Sequence, residues 1–80
     1  MADRAAIRQM FRELLDRNGD AGPFTDEERL FSTGRLQSID GVEMVVFLEE
    51  KFGLDFAPGG FDPESIDGVA NVAALIDRMS

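Results

Sequence analysis

Eighty residues with 44 % apolar side chains are enough for one small core, so residues 1–80 are expected to form a single domain. The chain has no cysteine, which excludes a disulfide framework or a thiolate metal site, and without histidine or cysteine the commonest enzymatic bases and nucleophiles are missing. Sixteen acids against eight bases leave a formal charge of −8, a field that repels nucleic acid and anionic membranes and attracts basic protein surfaces.

A domain this small leaves little room for a water-excluding pocket, so the composition points away from an enzyme. No apolar run approaches the length needed to span a bilayer. The start, Met1-Ala2-Asp3-Arg4, lacks the basic residues and apolar block of a signal peptide, and a cytoplasmic chain is expected.

In chain order, Asp3 to Arg17 reads as a helix. Ile7, Met10, Phe11, Leu14 and Leu15 recur at three- and four-residue spacing, Asp3 fits the N-cap, and Asn18-Gly19 fits the stop. A loop follows, and Thr25-Asp26-Glu27-Glu28 has the pattern of a capping box opening a short helical turn through Leu30 or Phe31. The connection from Asn18 to Gln37 is long for so small a domain, and long ordered loops tend to be functional. Leu30, Phe31 and Leu36 are the residues expected to pin it to the core. Ser38 to Phe52 reads as the second long helix, closed by Gly53. Leu54-Asp55-Phe56 looks extended and half buried, and Ala57 to Gly60 looks like a turn. Asp62-Pro63-Glu64 has the pattern of a helix start with room for about one turn before Gly68. Asp67 then fits the cap of a last helix to Met79, with Val69, Val72, Ala73, Ile76 and Met79 as its apolar stripe. The sum is an all-α fold: a small bundle of three main helices plus one short helix, without internal repeats.

The helix after Ser38 carries two apolar faces. With Ser38 at zero and about 100° per residue, Gly41, Met44, Val45, Leu48 and Phe52 fall between roughly 240° and 340°, which makes them the core stripe. Gly41 there would let another backbone approach closely. Ile39, Val42 and Val46 fall between roughly 40° and 100°, flanked by Glu43, Glu49 and Glu50. A bundle helix needs one buried stripe, so a second face rimmed by acids reads as a docking surface for a basic partner. The competing reading is that the long loop folds over Ile39 and Val42. Ser38 itself fits an N-cap, with Asp40 in the first turn suited to the helix dipole.

One metal pattern is present. Asp16, Asn18, Asp20 and Glu27 occupy positions 1, 3, 5 and 12 of an EF-hand-like calcium loop over residues 16–27. The glycine needed at position 6 is Ala21, position 8 is Pro23, and Gly34 would cut the following helix short, so no metal site is expected.

The stretch from Leu30 to Phe52 resembles the acyl and peptidyl carrier protein family, in which a serine followed by an aliphatic residue opens the second helix. Ser38 matches that serine and Ile39 the aliphatic residue. Asp40, Val42 and Glu43 match the family's habit at the helix start, and Leu48 to Phe52 its usual end. The order of helices and loop is also the family's. The resemblance implies that Ser38 carries a covalent 4′-phosphopantetheine arm, taken from coenzyme A, on which acyl or aminoacyl groups ride as thioesters. It implies as partners a phosphopantetheinyl transferase, an acyl- or aminoacyl-loading ligase and downstream synthase enzymes, with Ile39, Asp40, Val42, Glu43, Val46, Glu49 and Glu50 as the docking residues. The family commonly has Asp before the serine. Gln37 stands there here, which points to a carrier of a specialised pathway, polyketide or nonribosomal peptide, rather than of fatty-acid synthesis. A discrete monomer diffusing between separate enzymes is expected, although a domain cut from a larger synthase would read the same way. Seven phenylalanines imply a filled interior that does not enclose a long acyl chain. Two alternatives remain open: an interaction domain that never carries an arm, with Ser38 only a cap, and the calcium binder.

Overall fold

The structure, a computed structural model, describes residues 3–56 and 63–79. Among the described residues, the regular structure is three α-helices and one 3₁₀ turn: α1 (Arg4–Arg17), α2 (Ser38–Phe52), the turn Pro63–Ile66 and α3 (Val69–Met79). The fold is all-α, as the periodicities imply. The expected turn at Ala57–Gly60 and the expected cap at Asp62 lie outside the described residues. No described helix is long and apolar enough to cross a membrane.

Helix α1 begins where the Asp3 carboxylate accepts the Ala6 N–H at 3.1 Å. It buries Ile7, Phe11, Leu14 and Leu15 completely. Helix α2 contributes Met44 and Leu48, and ends at Gly53 with φ 69°, a left-handed conformation that glycine adopts without steric cost. Helix α3 buries Val69, Val72, Ala73, Leu75 and Ile76, whereas Met79, expected in the stripe, is exposed in the last turn.

The end of α1 meets the start of α2 through Asn18 and Asp40, while Ala6, Gln9 and Met10 share a hollow with Phe47 and Lys51. The two helices therefore run antiparallel.

Residues 25–31 form turns rather than the expected short helix. Half of the capping box is made, since Glu28 Oε1 accepts the Thr25 N–H at 3.3 Å. The backbone groups that would continue it are drawn to the start of α3 instead. Asp26 C=O accepts the Ala70 N–H at 2.8 Å, and the Leu30 N–H donates to Asp67 C=O at 2.7 Å. The loop thereby satisfies an orphan donor of α3. Asp67, expected as a helix cap, turns its carboxylate the other way. It accepts the N–H groups of Phe31 (2.8 Å) and Ser32 (3.0 Å) and the Ser32 hydroxyl (2.6 Å).

Close backbone approach occurs at Gly68, not at Gly41. A Cβ on Gly68 would lie 2.3 Å from the Glu28 carbonyl oxygen, so only glycine lets the loop lie against α3. A Cβ on Gly41 would meet only the Ile66 and Phe31 side chains, at 3.6 Å, an ordinary contact.

Three arginines hold the rest of the loop. Arg35 donates to both Asp20 oxygens (2.8 and 3.0 Å), to Glu28 (2.7 Å) and to the carbonyls of Gly22 and Pro23. Arg12 donates to the Gly22 and Asp20 carbonyls. Arg8 donates to Asp26 and to the Phe24 carbonyl, with its guanidinium 4.6 Å from the centre of the Phe24 ring. Leu30 and Leu36 are buried beneath, and Phe31 packs edge-on to Phe11.

Candidate functional site at the start of the second helix

The loop delivers its last residues to α2 in a defined geometry. Leu36 is buried, and its N–H donates to Leu30 C=O at 2.8 Å. Gln37 is extended (φ −113°, ψ 169°) and is the N-cap of α2, one residue earlier than the sequence pattern implies. Its backbone N–H donates to Asp40 Oδ2 at 2.8 Å, and its C=O accepts the Asp40 N–H at 2.9 Å. Ser38 is thus the first helical residue rather than the cap. Its side chain is exposed and takes no part in the capping.

Asp40 is 5 % exposed and faces inward, a correction to its expected place on the docking surface. Besides the Gln37 N–H, its Oδ2 accepts the Asn18 side-chain amide at 3.0 Å, and that amide also donates to Leu14 C=O at 2.8 Å. Asp40 therefore joins the end of α1, the loop and the start of α2. A buried carboxylate with these donors is a structural anchor that leaves nothing for a partner to touch.

Beside Ser38 lies an open cleft of about 440 Å³, lined by Phe31, Gly34, Leu36, Gln37, Gly41 and Ile66, with Pro63 at its edge. The cleft lies between the loop and the 3₁₀ turn. Its walls are held in place by the Asp67 hydrogen bonds, because Phe31 is a wall residue and Ile66 precedes Asp67. Burial pushes the Asp67 carboxyl up, but hydrogen bonds from Ser32 and Phe31, with Arg29 nearby, outweigh it and hold it below the usual carboxylate range. In the clasp behind the loop, hydrogen bonds from Arg35 and from the Gly22 N–H lower the Asp20 carboxyl to about 2.

The second apolar face of α2 is open to solvent. Ile39, Val42 and Val46 are 67 %, 55 % and 45 % exposed, and the loop packs elsewhere instead of covering them. Glu49 and Glu50 are exposed beside them. Phe47 packs on the core edge-on to Phe52. Glu43 is half-buried and already engaged, since Arg17 donates to its Oε1 at 2.8 Å. That ion pair carried no signal in the sequence, because Arg17 and Glu43 belong to different helices and meet only through their packing.

The four residues of the calcium pattern do not converge. Asp16 pairs with Arg12, the Asn18 amide with Leu14 C=O and Asp40, and Asp20 with Arg35, while Glu27 is exposed. Among the described residues, no cluster of three or more acidic side chains is arranged to hold a metal ion.

A comparison with protein families matches residues 5–78 to the model described as "Phosphopantetheine attachment site". The match spans all but the first residue of α1, the loop, α2, the 3₁₀ turn and all but the last residue of α3.

Proposed function

Because the chain belongs to the phosphopantetheine attachment-site family, we propose that Ser38 is the residue that bears the arm and that the outer face of α2 is where partner enzymes bind. The family's domains are carriers, not catalysts: they hold 4′-phosphopantetheine covalently and meet a phosphopantetheinyl transferase and synthase enzymes. When bound, the arm supplies a terminal thiol on which acyl or aminoacyl groups are held as thioesters.

The observation that carries the assignment to Ser38 is the division of labour at the helix start. Gln37 and Asp40 satisfy the cap, so the exposed Ser38 hydroxyl is left for a transferase to reach. The residues present fit the group. The N-terminus of α2 offers unpaired N–H groups and the positive end of the helix dipole to a phosphate at Ser38, and the cleft beside it is open rather than filled. In loading, a bond forms between Ser38 Oγ and the phosphorus that ends the pantetheine portion of coenzyme A. The pyrophosphate bond breaks, the adenosine bisphosphate leaves, and the hydroxyl proton passes to the transferase. This chain has no histidine to take that proton, and Asp40 is committed to the cap.

Ile39, Val42 and Val46 supply the apolar contact of the docking face, and Glu49 and Glu50 its charge. Contacts of this kind are small and transient, as a carrier that leaves after each step requires. Gln37 in place of the family's usual Asp supports a specialised pathway, polyketide or nonribosomal peptide, served by a loading ligase and synthase enzymes. The carrier acts as a monomer in the cytoplasm.

Mass spectrometry after incubation with coenzyme A and a broad-specificity phosphopantetheinyl transferase tests the assignment. One added arm on the unaltered chain and none on Ser38→Ala is the expected result. An unmodified chain would favour an interaction domain that never bears the arm, and an adduct that persists in Ser38→Ala would move the site elsewhere.

A further inference from the structure

The outer face of α2 continues onto α1. Met10 joins Val42, Glu43, Val46, Phe47 and Glu50 around a hollow of about 410 Å³ between the two helices. Arg17, the last residue of α1, reaches Glu43 on this surface with both ends of its guanidinium: Nη1 donates to Oε1 at 2.8 Å, and Nη2 lies 2.8 Å from Oε2. The pair is two-pronged, the stronger geometry for arginine and a carboxylate. Its hydrogen bond is the main cause that raises the Arg17 pKa above the usual arginine value. Arg17 is exposed and Glu43 only half-buried, and a surface pair of this kind adds little to stability. A more sheltered link between α1 and α2 is made one residue later, by Asn18 and the buried carboxylate of Asp40. What the Arg17–Glu43 pair does change is the charge pattern of the face that partners meet.

Resting on the docking reading above, we propose that Arg17 is a specificity-determining residue: it withholds Glu43 from basic partners and moves their electrostatic anchor to Glu49 and Glu50. Glu43 is the first acid of the exposed face after Ser38, about 7.5 Å along the helix axis, whereas Glu49 and Glu50 lie about 17 Å from Ser38. With Arg17 in place, the half of the face nearest Ser38 is neutral and apolar, and the far half is acidic. The occupant is a cationic surface on the phosphopantetheinyl transferase that modifies the carrier, which the formal charge of −8 attracts. An enzyme that places a cation at Glu43 must first displace Arg17. One that places it opposite Glu49 and Glu50 meets no competitor.

The test compares association with a phosphopantetheinyl transferase for the unaltered apo chain and for Arg17→Gln, Glu43→Gln, the double variant and Arg4→Gln. Association is read by surface plasmon resonance at low and high salt, with urea midpoints to confirm folding. Arg17→Gln exposes a full negative charge and associates about three-fold faster at low salt. Glu43→Gln leaves Arg17 bare and associates about three-fold slower, while the double variant returns close to the starting rate. These differences collapse at about 0.5 M salt, where the Debye length is about 4 Å. Arg4 faces the loop and pairs with Asp26, so Arg4→Gln makes the same change in net charge away from this face and moves the rate by less than about 1.5-fold. Arg17→Gln behaving like Arg4→Gln, or a double variant as slow as Glu43→Gln, would overturn the role of Arg17. Val46→Asp separates the two levels. If it slows association while Arg17→Gln does nothing, the docking face stands and only the role of Arg17 falls. If neither variant changes the rate, the docking face itself is wrong and the role of Arg17 falls with it.

Discussion

At the residue scale, Ser38 and Asp40 exchange the roles their positions imply. A serine before a helix is a good cap and an acid in the first turn suits the dipole, so both patterns are satisfied without any function. In the fold, Gln37 takes the cap position and the Asp40 carboxylate receives the Gln37 N–H and the Asn18 amide. Two variants separate structure from function here. Asp40→Ala removes two part-buried hydrogen bonds to a charged acceptor and is expected to cost about 1–3 kcal/mol in urea unfolding. Ser38→Ala removes a hydroxyl that caps nothing, so the midpoint should move by far less than the roughly 1 kcal/mol that a lost serine cap costs. A large loss in Ser38→Ala would return that residue to the cap. The sequence located this junction, but it could not say which neighbour caps, because the choice depends on Asn18 arriving from α1 twenty-two residues away.

At the element scale, the loop between α1 and α2 behaves as a fourth structural element without being a helix. Arg8, Arg12 and Arg35 hold its carbonyls, and Asp67 and Gly68 hold its far side against α3. The capping-box pattern at Thr25–Glu28 predicts a helical turn because local patterns count only local donors. The start of α3 competes for the same backbone groups and wins. This arrangement gives the loop an acid sensitivity with a definite sign. Asp20, at about 2, and Asp67 both titrate below their unfolded value of about 3.9, so they contribute stability above that value and lose it as pH falls through the folded one. Between about pH 4 and pH 2, the amide resonances of Gly22, Phe31 and Ser32 should shift before those of the helix interiors do. If α1 and α2 melt while the loop resonances stay in place, these carboxylates are not what holds it. Such loosening would also open one wall of the cleft beside Ser38, since Phe31 belongs to both.

At the scale of the whole molecule, charge is sorted by the fold. Arg4, Arg8, Arg12, Arg17, Arg29 and Arg35 are all in ion pairs, and except for Arg12–Asp16 within α1 and Arg17–Glu43 between α1 and α2 those pairs lie in or against the loop. Among the described residues, the acids beside the apolar face of α2 are matched only at Glu43. Val46→Asp puts a charge into that apolar face, and Glu49→Lys reverses its acidic end. Each is expected to slow modification of Ser38 by about ten-fold while moving the urea midpoint by no more than about 0.5 kcal/mol, because both positions are exposed. Normal rates in both would show that partners use another surface.

The sequence by itself determined three helices, their core stripes, the spare apolar face of α2 and the resemblance that led to Ser38. These are readable because helical period and side-chain polarity are local properties of the chain. The tertiary structure alone decided that Ser38 is free of the cap and that Asp40 is an anchor rather than a contact. It also decided that the segment at Thr25–Phe31 pairs with α3 instead of coiling, and that Arg17 neutralises Glu43. Each of these depends on a partner brought close by packing, and spacing along the chain carries no record of which donor will reach which acceptor first.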